Sequence, residues 1–156
     1  GTDTLLSTAA VTATTGALIS GFETVSVGAV SVALLAASNT INSVIFTGTG
    51  GTVAGVASGA TVTLAQTTGT YANTVSNATG WTGAADTIAV AIGGAASTGA
   101  ISQTVNAAGI ETATITNTQL TSDTTARTLA VAGLPFASYR WAVGNHFGTW
   151  HGIVAG

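Results

Sequence analysis

The side chains able to do acid–base, nucleophilic or metal chemistry are few enough to name. The carboxylates are Asp3, Glu23, Asp86, Glu111 and Asp123; the bases are Arg127 and Arg140; the imidazoles are His146 and His151; lysine and cysteine are absent. Calcium is the metal such a set would suit, since it takes roughly six to eight oxygens from carboxylates and backbone carbonyls. Asp3 and Asp86 are the candidate ligands, each opening an apolar strand, as Asp3-Thr4-Leu5 and as Asp86-Thr87-Ile88. No second carboxylate lies beside either one, so a calcium shell would need convergence from distant parts of the chain. The competing role is structural: aspartate bonds turn amides, and Glu23 and Glu111 would bond backbone groups at corners. His146 and His151 have no Cys, Asp or Glu close by to complete a metal site, and read as polar members of an aromatic cluster. Serine is abundant, yet no Gly-x-Ser-x-Gly elbow occurs. A phosphate-binding loop lacks its lysine. The expectation is a protein with no catalytic residues. Asn77-Ala78-Thr79 fits the N-glycosylation acceptor pattern.

Composition narrows the partners. Only 4% of the 156 residues are charged, against about 25% in an average soluble domain. Two basic residues cannot neutralise many phosphates, which excludes nucleic-acid binding and argues against docking on an anionic membrane. A 46% hydrophobic content excludes disorder, which needs low hydrophobicity and high net charge. The apolar stretches Val32–Ala37 and Ile88–Ala96 fall far short of the ~20 residues of a membrane helix. No basic region followed by an apolar core opens the sequence, so no signal peptide is legible, and the chain reads as a mature protein or an excised fragment. Its polar surface must come from hydroxyls, which repel one another little, so that copies associate easily.

The elements that must position these residues are strands. Alternation with period two recurs: Val25 and Val27, Val62 and Leu64, Ile88 with Val90 and Ile92, Ala113 and Ile115 all alternate with Thr, Ser or Ala. The runs Val44–Phe46 and Leu129–Val131 read the same way. Turn clusters separate them at Gly48–Gly51, Ser58-Gly59, Thr79-Gly80, Gly93-Gly94 and Ala108-Gly109; an Ala/Leu-rich stretch at Val30–Ala37 is the one candidate helix.

An internal repeat organises the strands. Asp3-Thr4-Leu5 recurs as Asp86-Thr87-Ile88, Gly21-Phe22-Glu23-Thr24-Val25 as Gly109-Ile110-Glu111-Thr112-Ala113, and Ser38-Asn39-Thr40 as Ser122-Asp123-Thr124. Four of the five acids fall at paired positions. The expected organisation is a repetitive β domain over 1–133, with copies at about 1–80 and 84–133. The expected fold is all-β, a right-handed parallel β-solenoid of two sequence repeats, whose thin interior suits small apolar residues and whose units bury a face by stacking. A β-sandwich built from duplicated hairpins is the alternative.

These blocks, with Ser58-Gly59-Ala60-Thr61-Val62-Thr63-Leu64 after them, resemble the repetitive region of bacterial surface-layer proteins of the Caulobacter type and related calcium-binding RTX proteins. The resemblance covers residues 1–133. It implies secretion, assembly into a paracrystalline coat at the cell surface, and calcium held at turns between strands. Around Asp86 the sequence Gly83-Ala84-Ala85-Asp86-Thr87-Ile88 keeps the aspartate and apolar residue of the RTX nonapeptide and loses most of its glycines.

Residues 134–156 differ from the rest. They hold Phe136, Tyr139, Trp141, Phe147 and Trp150, together with Arg140. Solenoids need caps and interfaces favour aromatics and arginine, so this segment is expected to be a cap or a subunit contact. The functional expectation is a structural, self-assembling extracellular protein, a surface-layer or filament subunit whose partners are copies of itself. The alternatives are an adhesin stalk or binding module, with cell-surface polysaccharide as partner, and a polysaccharide-processing β-helix enzyme.

Overall fold

The computed structural model describes residues 1–28, 31–32, 39–48, 50–77, 80–93, 99–118, 127–133, 138–143 and 153–155. Its strands are β1 (Thr4–Ser7), β2 (Thr24–Val27), β3 (Ile41–Phe46), β4 (Gly50–Ala54), β5 (Val56–Leu64), β6 (Gly69–Ser76), β7 (Thr87–Gly93), β8 (Ile101–Asn106), β9 (Thr112–Thr118), β10 (Arg127–Ala132), β11 (Ser138–Val143) and β12 (Ile153–Ala155). A single helical turn, α1 (Ala13–Gly16), starts at Thr12, whose hydroxyl accepts the Thr15 amide at 3.3 Å. The candidate helix at Val30–Ala37 lies outside the described residues except for Ser31 and Val32, and Val32 forms parallel bridges with Val11 and Val53.

The strands form two parallel sheets. One has seven strands in the order β1-β2-β3-β5-β7-β9-β11 and the other five in the order β12-β10-β8-β6-β4. From β3 onward, successive strands therefore alternate between the sheets. Every pairing described is parallel, so the hairpin-built sandwich has no counterpart among the described strands. Parallel neighbours need a crossover between them, and from β3 onward each crossover passes through a strand of the opposite sheet.

The core lies between the sheets, and period-two alternation fills it. In-register columns run across the seven-stranded sheet as Leu5, Val25, Val44, Val62, Val90, Ile115 and Trp141, and as Ser7, Val27, Phe46, Leu64, Ile92, Asn117 and Val143. Val25, Val44, Val62, Val90, Ile115, Val27, Phe46, Leu64 and Ile92 are buried. From the other sheet Val53, Val75, Val105, Leu129 and Val131 join the same cluster. The flanking column Thr4, Thr24, Ser43, Thr61, Ala89, Thr114 and Arg140 carries small polar or alanyl residues up to β9.

Two turn assignments from the sequence fall inside strands. Gly50 and Gly51 begin β4, where a side chain on Gly50 would lie 2.5 Å from the Ala72 carbonyl oxygen of neighbouring β6; glycine here permits close backbone approach. Ser58-Gly59 sits within β5 at a register shift: Ile41 pairs with Val56 but Ser43 with Thr61. Gly59, at φ 82°, supplies the left-handed residue that a glycine bulge requires.

Candidate functional site: corner carboxylates, buried amides and open edges

The paired acids hold the same local structure twice. Where the chain enters β2, the Glu23 carboxylate accepts the Asp3 amide at 2.9 Å, and the Asp3 carbonyl accepts the Glu23 and Thr24 amides at 3.2 and 3.1 Å. At the entry to β9 the Glu111 carboxylate accepts the Asp86 amide at 2.7 Å, and the Asp86 carbonyl accepts the Glu111 and Thr112 amides at 3.0 and 3.2 Å. A glutamate one turn further along the chain thus satisfies an amide that has no ladder partner. The Asp86 carboxylate also turns back onto the Gly83 amide at 2.8 Å. Asp3 is exposed, while Glu23, Asp86 and Glu111 are half-buried.

The structure does not bring the two candidate calcium ligands together. Asp3 precedes β1 and Asp86 precedes β7, four strand steps apart in one sheet, or roughly 19 Å at about 4.8 Å per step. Glu23 and Glu111 already serve backbone amides, and the Asp86 carboxylate serves a turn. No group of three or more His, Cys, Asp or Glu side chains able to hold a metal occurs among the described residues. The oxygens at either corner do not make up the shell calcium needs. Asp123, His146 and His151 lie outside the described residues, as do Phe136, Phe147, Trp150, Ala78 and Thr79. Tyr139, Arg140 and Trp141 fall on β11, in register with Ala113, Thr114 and Ile115 of β9. The 134–156 segment thereby adds a strand to each sheet, since β12 pairs with β10.

Sequence reasoning missed a buried amide chain. Gln66, Asn73 and Gln103 are at most 2% exposed. Gln103 Nε2 donates to Gln66 Oε1 at 2.7 Å, and Gln66 Nε2 donates to Asn73 Oδ1 at 2.8 Å. Asn73 Nδ2 reaches the Thr104 carbonyl at 3.3 Å. Gln103 Oε1 and Trp81 Nε1 are buried without a partner among the described residues. Only Gln103, at an alternating position between the buried Ile101 and Val105, carries a signal in the sequence.

The β1 end of the seven-stranded sheet differs from the strands beyond it. Leu5, Val11, Ile19 and Phe22 pack against the core but stay partly exposed, whereas Val25 and Val32, next in the columns of Leu5 and Val11, are at 0%. Leu6 and Leu18 are open at 67% and 83%. Among the described residues, β1 is the terminal strand of its sheet, with β2 on one side and none on the other. Among the described residues, β11 likewise ends the same sheet at the far edge. Comparison with known proteins adds no relative: no family model, no curated protein and no solved structure matches the chain.

Proposed function

We propose that the chain is a structural, non-catalytic segment of an extracellular surface-layer or filament protein, wound as a right-handed parallel β-solenoid that associates with copies of itself. Strands that alternate between two parallel sheets from β3 onward support this winding, and right-handed crossovers are the hand that parallel units overwhelmingly adopt. The observation that carries the assembly reading is the β1 edge, unpaired among the described residues and flanked by the partly exposed Leu5, Val11, Ile19 and Phe22. Soluble proteins shield such edges with charge, proline or covering segments, and a chain with 4% charged residues has little to shield with. The sparse ionisable groups and their structural use at corners support the absence of catalysis. Secretion and the cell surface are the setting that the surface-layer resemblance supplies.

Electron microscopy of the purified chain tests this. Ordered sheets or fibres are expected. A strictly monomeric rod at all concentrations refutes self-assembly and favours an adhesin stalk.

A further inference from the structure

We infer that copies stack head to tail, with the β11 edge of one chain pairing in parallel with the β1 edge of the next and the Arg140 register position meeting the Asp3–Glu23 corner. The inference rests on the assembly reading above and names its surfaces.

Backbone polarity makes the two edges complementary. The Asp3 and Ser7 carbonyls accept amides of Glu23, Thr24 and Gly28 on the β2 side. Alternation in a strand then leaves the amides and carbonyls of Thr4 and Leu6 facing the open edge. The same parity, followed through β2, β3, β5, β7 and β9 by the register, leaves those of Tyr139, Trp141 and Val143 facing the outer edge of β11. A second copy displaced along the stack presents these groups in the polarity that β1 already meets in β2. Head-to-head contact would instead require antiparallel pairing, which occurs nowhere among the described strands.

Column identity and charge favour the same register. Continuing the columns across the junction sets Trp141 beside Leu5, Arg140 beside Thr4 and Ala142 beside Leu6. Trp141 would bring apolar surface to a first turn whose Leu5 remains partly exposed. The two basic residues, Arg127 and Arg140, lie on β10 and β11, one strand beyond Glu111 at the entry to β9, whereas Asp3 and Glu23 lie beside β1 and β2 at the other end of the sheet with no basic residue beside them. Head-to-tail stacking brings the Arg140 position to the Asp3–Glu23 corner, an opposite-charge contact that favours this partner and register. Because the contact is heterologous and does not close on itself, it propagates.

A cysteine pair reads the junction directly, since the chain has no cysteine of its own. Adjacent strands lie about 4.8 Å apart, within the Cα separation a disulfide spans. The 156-residue chain carrying both Leu6→Cys and Ala142→Cys should give a covalent ladder of dimer, trimer and higher species under mild oxidation, and Leu6→Cys alone should not. Separately, Arg140→Glu should raise the dissociation constant of assembly roughly tenfold at low salt, as expected for one exposed attraction turned into repulsion; adding Asp3→Arg in the same chain should restore it. Fibres or sheets without the ladder, or an Arg140→Glu chain that assembles normally, overturn head-to-tail pairing while self-assembly stands. Dimers from Leu6→Cys alone overturn it in favour of head-to-head contact. If the thiol introduced by Leu6→Cys is shielded from a thiol reagent with no inter-chain product, the β1 edge is covered by other residues of the same polypeptide, and the pairing is again overturned. A chain monomeric at every concentration ends both readings.

Discussion

Glu23 and Glu111 do the same work in unlike surroundings, and the difference sets their value. The bond from the Asp86 amide to Glu111 is part-buried, whereas that from Asp3 to Glu23 is exposed. Removing an acceptor strands a buried amide at about 1–3 kcal/mol, while water replaces an exposed acceptor at little cost. Glu111→Ala should therefore lower the thermal midpoint by several degrees, at about 2–4 °C per kcal/mol for a chain of this size, and Glu23→Ala by far less; calorimetry of the two variants decides. Calcium titration during the same melts should leave both midpoints in place, because Asp3 and Asp86 stand four strand steps apart and one oxygen each of Glu23, Glu111 and Asp86 already accepts an amide. A saturable rise would mean that a calcium shell forms after all.

The buried amides give a second contrast. Gln66 stands in the middle of the chain, donating to Asn73 and accepting from Gln103. Gln66→Leu strands groups on both neighbours, and should cost about 2–4 kcal/mol. Gln103→Leu loses one bond and removes an oxygen with no partner among the described residues, so chemical denaturation should show the smaller loss. Apart from Gln103, these amides are illegible in the sequence for a physical reason. Gln and Asn are usually exposed, and Gln66 lies in the connection between β5 and β6, where no periodicity marks which side chains turn inward. The acid pairs are legible because acids are so scarce that a recurrence stands out.

At the scale of elements, β-branched alternation marks β2, β7 and β9 in the sequence. Strands rich in glycine and hydroxyls, such as β4 and β6, carry no such mark, since their stability comes from the strands they pair with rather than from their own residues. Glycine itself has two meanings in these elements. Gly59 and Gly109 both have positive φ, but a side chain at Gly59 meets open space, whereas at Gly109 it collides with the Trp81 carbonyl oxygen. Gly59→Ala should cost about 1–2 kcal/mol of backbone strain, and Gly109→Ala measurably more, or it should push the Trp81 loop aside. Comparing their denaturation midpoints with the near-ultraviolet signal of tryptophan separates these outcomes.

For the whole molecule, the repeat visible in the sequence is a coarse one. The spacing from Asp3 to Asp86, and from Glu23 to Glu111, is four strand steps in one sheet. The finer unit, one strand per sheet, returns at intervals of roughly 18 to 28 residues, as the column Leu5, Val25, Val44, Val62, Val90, Ile115 and Trp141 shows. Unequal intervals defeat any comparison at fixed offset, and columns of interchangeable Val, Ile and Thr leave little to align.

That ladder geometry has a mechanical consequence. The hydrogen bonds between strands run along the stacking direction, so tension applied between the first and last turns loads them one layer at a time, as in peeling tape. Each layer released would free 18 to 28 residues, or roughly 60–100 Å of contour at about 3.3–3.6 Å per residue. An optical-tweezers trace should then be a low sawtooth of small, unequal steps, with the first tooth coming from the thinly covered turn around β1, instead of one abrupt rupture.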